Sequence, residues 1–217
     1  LHYSEYRLRH EQLRKKSDTD AKVLSLLRHE NELAKQENAN KDPVLNSTMR
    51  DYLASEVSED ICRRYIFPED VIHAHDEGMI HVHDMGYVSG PISNCELVNL
   101  EDMLQNGTVI TDTMIEKPHS FSTACNIATQ IIAQVASNTY GGQTISLSHL
   151  APFVDESRRR YKDAVRDEGN AVGKEYTAEE VSQIAELRVR KEVERGIQTI
   201  QYQIQTLLTT NGQTPFV

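Results

Sequence analysis

From Ser120 to Ser137 the chain runs without a single charged side chain, although Asp, Glu, Lys and Arg make up 26% of the sequence. Ala124, Ile127, Ala128, Ile131, Ile132 and Val135 recur at helical spacing within it, so the stretch predicts a helix buried on more than one side. Such a helix needs partners packed around it. Two are in view. Residues 151–165 read as a helix with a basic edge at Arg158, Arg159, Arg160 and Lys162. Thr177-Ala-Glu-Glu180 has capping-box spacing and opens a helix of roughly thirty residues, through Leu208. Tyr140-Gly141-Gly142 breaks the charge-free helix, and Asn211-Gly212 turns the chain into a closing strand, Gln213 to Val217.

Upstream, residues 1–43 are dense in Arg, Lys, Glu, Gln and Asn and read as a helical extension or linker, with a polar break at Ser17-Asp-Thr-Asp20 and a stop at Pro43. The remainder, 44–217, reads as one organised region. From Ser47 to Arg64 the positions Met49, Leu53, Val57 and Ile61 recur at i+4 and predict an amphipathic helix. Pro68 with Glu69 and Asp70 opens another helix, and Gly78 closes it. Met79 to His83 is expected as a short strand, and Asn94 to Leu100 as a second strand or a strand-to-helix edge. The reading is α/β and helix-rich.

The balance of charges narrows the partners. Twenty-three Lys and Arg against 33 Asp and Glu give a net charge of −10, the wrong sign for a protein that binds a phosphate backbone. A local basic pocket for one nucleotide is compatible with it. No apolar run approaches the ~18–20 residues of a membrane span. Three widely separated cysteines, at 62, 95 and 125, form neither a disulfide framework nor a CxxC zinc knuckle, as expected in a reducing cytoplasm.

Chemistry-bearing residues gather in two places. His73, His75, His81 and His83 precede Asp84. On a helix His73 and His75 would diverge, whereas on a strand His81 and His83 would share a face and, with Asp84, make a ligand set for a water-activating metal. Hydrogen-bonded scaffolding under a pocket is the alternative role. In Ser93-Asn94-Cys95-Glu96 a thiol sits beside an amide at a strand edge, an uncomfortable place for a core cysteine. Cys62 and Cys125 lie on helix faces and are expected to pack.

Read in order, His81-Val-His83-Asp84, Asn94-Cys95, Ser122-Thr123-Ala124, Ile131-Ile-Ala-Gln-Val-Ala-Ser137, Tyr140-Gly-Gly-Gln-Thr144, Ala151-Pro152-Phe153 and Asn211-Gly-Gln-Thr-Pro-Phe-Val217 resemble the large chain of the anaerobic (class III) ribonucleoside-triphosphate reductases. The resemblance runs from about Val44 to Val217. It implies the first part of a ten-stranded α/β barrel of the glycyl-radical type, in which a thiyl radical takes hydrogen from the ribose 3′ carbon and the 2′ hydroxyl leaves as water. Cys95 would be the reducing cysteine on an early barrel strand. Asn94, His83 and Ser122 would contact the ribonucleoside triphosphate substrate, with His83 and Asp84 as pocket floor and no metal ligands among them. Asp112, Glu116, Gln130 and Lys162 would hold a magnesium-bound ATP or deoxynucleotide effector at a dimer interface.

The thiyl-radical cysteine, the glycyl-radical loop and the family's zinc site would lie beyond Val217, and an ATP-cone before Leu1. The chain is therefore expected to be a fragment, inactive alone. Its expected partners are a radical-SAM activating enzyme and either a second copy or the remaining half of the reductase. Whether formate or a thioredoxin-like system is the reductant is left open. Two competing readings stand beside this one: a metal-dependent hydrolase using His81, His83 and Asp84, and a non-catalytic nucleotide-binding dimerisation module built on the Ser120–Leu208 helices.

Overall fold

The computed structural model describes residues 18–28, 45–90, 93, 95–139, 141–207, 209 and 215–217. Chain contacts divide them at residue 92 into two units. Asn94, Tyr140, the turn at Asn211-Gly212 and the start of the expected closing strand fall outside the described residues.

In the first unit, α1 (Thr19–Leu27) packs Leu26 against Tyr52 of α2 (Asn46–Ile61), with Met49 and Leu53 alongside. The buried face of α2 is Thr48, Tyr52 and Ser58, while Val57 and Ile61 are exposed, so the i+4 stripe marks only part of the packed surface. The helix continues into a π-helical turn, Cys62–Ile66, whose extra residue rotates the end of the helix and seals Cys62 inside. Arg63 donates to Glu59 and Asp76, both at 2.7 Å, tying this turn to α3 (Glu69–Asp76). Pro68 caps α3 and Gly78, at φ 72°, ends it, because only a left-handed residue lets the backbone turn back on the helix.

The strand expected over Met79–His83 does not form. The N–H groups of Met79 and Ile80 both donate back to Ala74 O (2.9 and 3.3 Å), and Asp84 is left-handed at φ 61°. Backbone donors directed at a helix end are not available to a ladder.

The second unit begins with Ser93 bridged to Thr139, then β1 (Glu96–Leu97), parallel to β4 (Gln143–Thr144). As expected, the strand leads straight into a helix. Asn99 caps α4 (Leu100–Gln105), which buries Leu100 and Leu104. A hairpin comes next, β2 (Thr108–Ile110) against β3 (Thr113–Ile115), turning through Thr111 and Asp112, both at positive φ. Then come α5 (Phe121–Ala136), α6 (Ala151–Ala171) and α7 (Ala178–Thr206). The capping box at Thr177 and Glu180 is complete.

The core joins Val98, Leu104, Phe121, Ala128, Phe153 and Ile200, drawn from both strand edge and helices. One broad face of α5 is buried, including Ala124, Cys125, Ile131 and Ile132. Its other side, with Asn126, Gln130 and Gln134, is exposed. The expectation of burial on more than one side is thus corrected: lack of charge here reflects neutral amides and hydroxyls that water satisfies, in addition to a buried stripe. Burial along α7 runs through Val181, Ala185, Val189, Glu192, Gly196 and Ile200. The described residues form a helix-rich α/β structure with few strands; a ten-stranded barrel is not visible in them. Among them no helix is long and apolar enough to cross a membrane.

Candidate functional site

Cys95 lies between two backbone anchors. On one side Ser93 N donates to Asn138 O at 3.1 Å; on the other Glu96 N donates to Gly142 O at 3.1 Å and Val98 N to Thr144 O at 3.0 Å. Side chains alternate along a strand, and here the alternation is sharp. Val98 is buried against the helices, whereas Leu97 is 85% exposed. Cys95, exposed, shares its strand face with Leu97. That face is the side of the parallel pair that the helices leave open. A cavity of about 410 Å³ is bounded by Leu97, Val98, Ile110, Ile131, Gln134 and Asn138 among others; Cys95 is not part of its lining.

The other two thiols contrast with this one. Cys62 and Cys125 are buried at 1% and 0% exposure. Burial, and secondarily Glu192, pushes the Cys125 thiol up to about 12; burial and then Glu59 also raise Cys62. A raised pKa leaves the unreactive thiol at neutral pH, since the thiolate is the nucleophile. Iodoacetamide applied to the native chain at pH 8 therefore modifies Cys95 and spares Cys62 and Cys125 until denaturant is added. Peptide mass spectrometry reads this directly, and equal labelling of Cys125 in the native state would contradict the packing of α5 against α7.

The N-terminus of α5 is closed by side chains from three elements. Ser120 Oγ accepts from Thr123 N (3.2 Å), Ser157 Oγ of α6 from Phe121 N (2.8 Å), and Glu192 Oε1 of α7 from Ser122 N (2.9 Å). The donors a helix leaves unpaired at its start are thereby satisfied, and a carboxylate sits at the positive end of the helix. Burial raises the Tyr161 hydroxyl, with Glu192 adding to it. A small cavity of about 210 Å³ lies here, bounded by Ser122, Arg160, Tyr161 and Glu192. Ser122 is thus at the far end of α5 from Cys95. Gln143, the register partner of Glu96, attaches ten residues further along that helix at Ile132, about 15 Å down its axis.

The four expected effector contacts lie on separate elements. Asp112 is at the hairpin tip, Glu116 just after β3, and Gln130 on the exposed side of α5; these three are exposed. Lys162 is half-buried on α6, where its charge, behind the bond from Arg158, helps lower Glu186 of α7. The neighbouring arginines are engaged with protein groups. Arg158 binds Asp155 and Glu186, Arg159 binds Glu156, and Arg160 donates to His119 O.

In the first unit, His83 Nδ1 lies 2.7 Å from Asp84 Oδ1. His73 and His75 are on a helix, as expected, and diverge: His73 faces Glu77, while His75 Nδ1 accepts from Val82 N at 3.1 Å. The rings of His75 and His81, and of His81 and His83, approach at 5.5 Å between centroids. Among the described residues no group of three His, Cys, Asp or Glu side chains is arranged to hold a metal. With the strand absent, the shared-face argument for His81, His83 and Asp84 no longer applies, and the hydrolase reading has no support.

Residues 37–217 match the family model described as anaerobic ribonucleoside-triphosphate reductase. The chain belongs to that family. It is 39% identical over 219 aligned residues to the anaerobic ribonucleoside-triphosphate reductase of Salmonella typhimurium and 38% identical to that of Escherichia coli, in each case over 99% of this chain. The enzyme of the same name from Enterobacteria phage T4 is 36% identical over 91% of the chain. The chain spans about 30% of the length of the two bacterial relatives and 32% of the phage one.

Family membership does not by itself expose two groups that the geometry brings forward. Glu192 is legible in the sequence as the one charge in the buried stripe of α7. Gln143 carries no such signal, because a two-residue strand has too little periodicity to show which face is covered.

Proposed function

We propose that the chain is part of an anaerobic ribonucleotide reductase that converts ribonucleoside triphosphates to deoxyribonucleotides, with Cys95 as its reducing cysteine. The observation that carries this is the position of Cys95, an exposed thiol on the open face of a parallel strand pair whose other face is packed on helices. In an α/β barrel that open face is the interior. An 85%-exposed Leu97 on the same face is what an uncompleted interior presents to solvent.

In this reading the chain is the early part of the barrel within a longer polypeptide, preceded by the helical extension at 1–43. The remainder supplies the thiyl-radical cysteine, the glycyl radical and the zinc site. A thiyl radical takes the hydrogen atom from the ribose 3′ carbon, the 2′ hydroxyl departs as water, and Cys95 delivers one hydrogen atom from the opposite face. Formate or a thioredoxin-like system supplies the second reducing equivalent, and the hydrogen atom is then returned to the 3′ carbon. Cys95 must reach the sugar yet be screened from bulk water, which a closed barrel provides and the exposed strand alone does not. Asn94, His83 and Ser122 are the proposed substrate contacts.

Asp112, Glu116, Gln130 and Lys162 are proposed to bind the ATP or deoxynucleotide effector between two copies of the chain. Exposed carboxylates suit its magnesium ion and an ammonium suits its phosphates. A radical-SAM activating enzyme installs the glycyl radical, and the reaction belongs to the cytoplasm.

The test is anaerobic turnover of the complete polypeptide with its activating enzyme, a ribonucleoside triphosphate and, in separate arms, formate or a thioredoxin system as reductant. Deoxyribonucleotide is expected from the complete polypeptide and none from residues 1–217 alone. Turnover by the 217-residue chain, or none by the complete one, overturns the proposal.

A further inference from the structure

Gln143 is the most enclosed side chain of the strand pair, at 3% exposure. Its Nε2 donates to the carbonyl of Ile132, inside α5, at 2.8 Å. Among the described residues its Oε1 has no hydrogen-bond partner. A buried amide oxygen left unpaired carries a desolvation cost that an apolar side chain of the same length would avoid. The amide therefore stands against its own burial cost, and the group that offsets it is the bond to α5.

What that bond locates is β4. Among the described residues β1 has its ladder with β4: Gly142 O and Thr144 O, on either side of Gln143, accept from Glu96 N and Val98 N. Gln143 N donates in addition to Phe216 O at 2.8 Å, extending the same layer. β1 has two residues and no long ladder of its own, so after Cys95 the chain is held at the height of β4, while before it Ser93 is held on Asn138. Gly142 is closed on its other side by the ring of Phe216, where a Cβ would come within 2.8 Å, so β4 cannot slide freely in that direction.

We infer that Gln143 is a positioning residue for the reaction: its side-chain bond to Ile132 O fixes β4 on α5 and, through β4, fixes where Cys95 stands against the sugar. The inference rests on the assignment of Cys95 as reducing cysteine. Gln143 touches no substrate, since its side chain lies on the helix side of the strand pair.

The test uses the complete, activated polypeptide carrying Gln143→Met or Gln143→Glu. Met keeps length and removes the donor. Glu removes it as a carboxylate, but restores an O–H donor once protonated, and burial favours the protonated form. A misplacement near 1 Å costs on the order of a hundredfold in rate, so Gln143→Met should lower kcat by about ten- to a hundredfold with KM for the ribonucleoside triphosphate little changed. Gln143→Glu should match Met at pH 8 and regain activity as the pH falls towards 6, relative to wild type measured at each pH. A Met variant with wild-type kcat overturns the inference. So does a Glu variant whose pH profile tracks the Met variant throughout. Loss of the underlying assignment is seen separately, as turnover that survives Cys95→Ser.

Discussion

Cys95→Ser in the complete polypeptide is expected to abolish deoxyribonucleotide formation while leaving effector binding and thermal stability close to wild type. Serine has nearly the same shape, but its O–H does not give up hydrogen as a thiol does, so the effect falls on the chemistry. Cys95 is exposed and outside the core, and substitutions at such positions change stability by no more than about 0.5 kcal/mol. The expected effector contacts are on the hairpin, α5 and α6, none of them on β1. Three readings on one preparation therefore separate the cases: anaerobic turnover, equilibrium dialysis with the effector nucleotide, and a melting curve. Retained turnover removes Cys95 from the mechanism, and lost stability shows that its role is structural.

Gly196→Val is expected to lower stability by about 3 kcal/mol and Tm by roughly 6–12 °C. Glycine in the middle of a helix costs up to about 1 kcal/mol relative to alanine, so propensity alone favours replacing it. The packing opposes this. A Cβ at 196 would lie 2.7 Å from the Phe121 ring and 2.8 Å from Cys125 Sγ. Both neighbours belong to the core, at 3% and 0% exposure, and have no open space to move into. The clash outweighs the propensity gain, because α7 and α5 approach each other closely through this missing side chain. Val adds two further methyl groups to the same place. Calorimetry of wild type and variant decides it; a Tm unchanged or raised would mean that α5 and α7 do not meet at Gly196.

Much of the helical framework is legible in the sequence. The capping box at Thr177, the charge-free run that forms α5 and the glycine stop at 78 each rest on interactions within a few residues, which the sequence carries locally. The assignment of Cys62 and Cys125 to packing is also legible, since both sit at helix positions and both are buried. The short strand expected at Met79–His83 rests on the strand-like alternation of His-x-His, whereas the N–H groups before it are captured by Ala74 O. Alternation over five residues cannot reveal a competing acceptor. Similarly, Val57 and Ile61 fit an i+4 run yet are exposed, since such a run drifts about 40° per step around a helix of 3.6 residues per turn and leaves the face that Met49 and Leu53 pack.

By itself the sequence determined where the main helices begin, which thiol was out of place in a core, and the family, because caps, periodicity and ordered motifs are encoded in neighbouring residues; the helix expected over 151–165 runs on to Ala171. Only the tertiary structure decided that Cys95 and Leu97 share an open strand face, that Glu192 and Ser157 close the start of α5, and that Gln143 reaches Ile132. Those arrangements join residues 36 and 70 positions apart at the helix start, and 11 apart across the turn into β4. They depend on how helices stack, and no local pattern of side chains specifies the distance at which two helices come to rest.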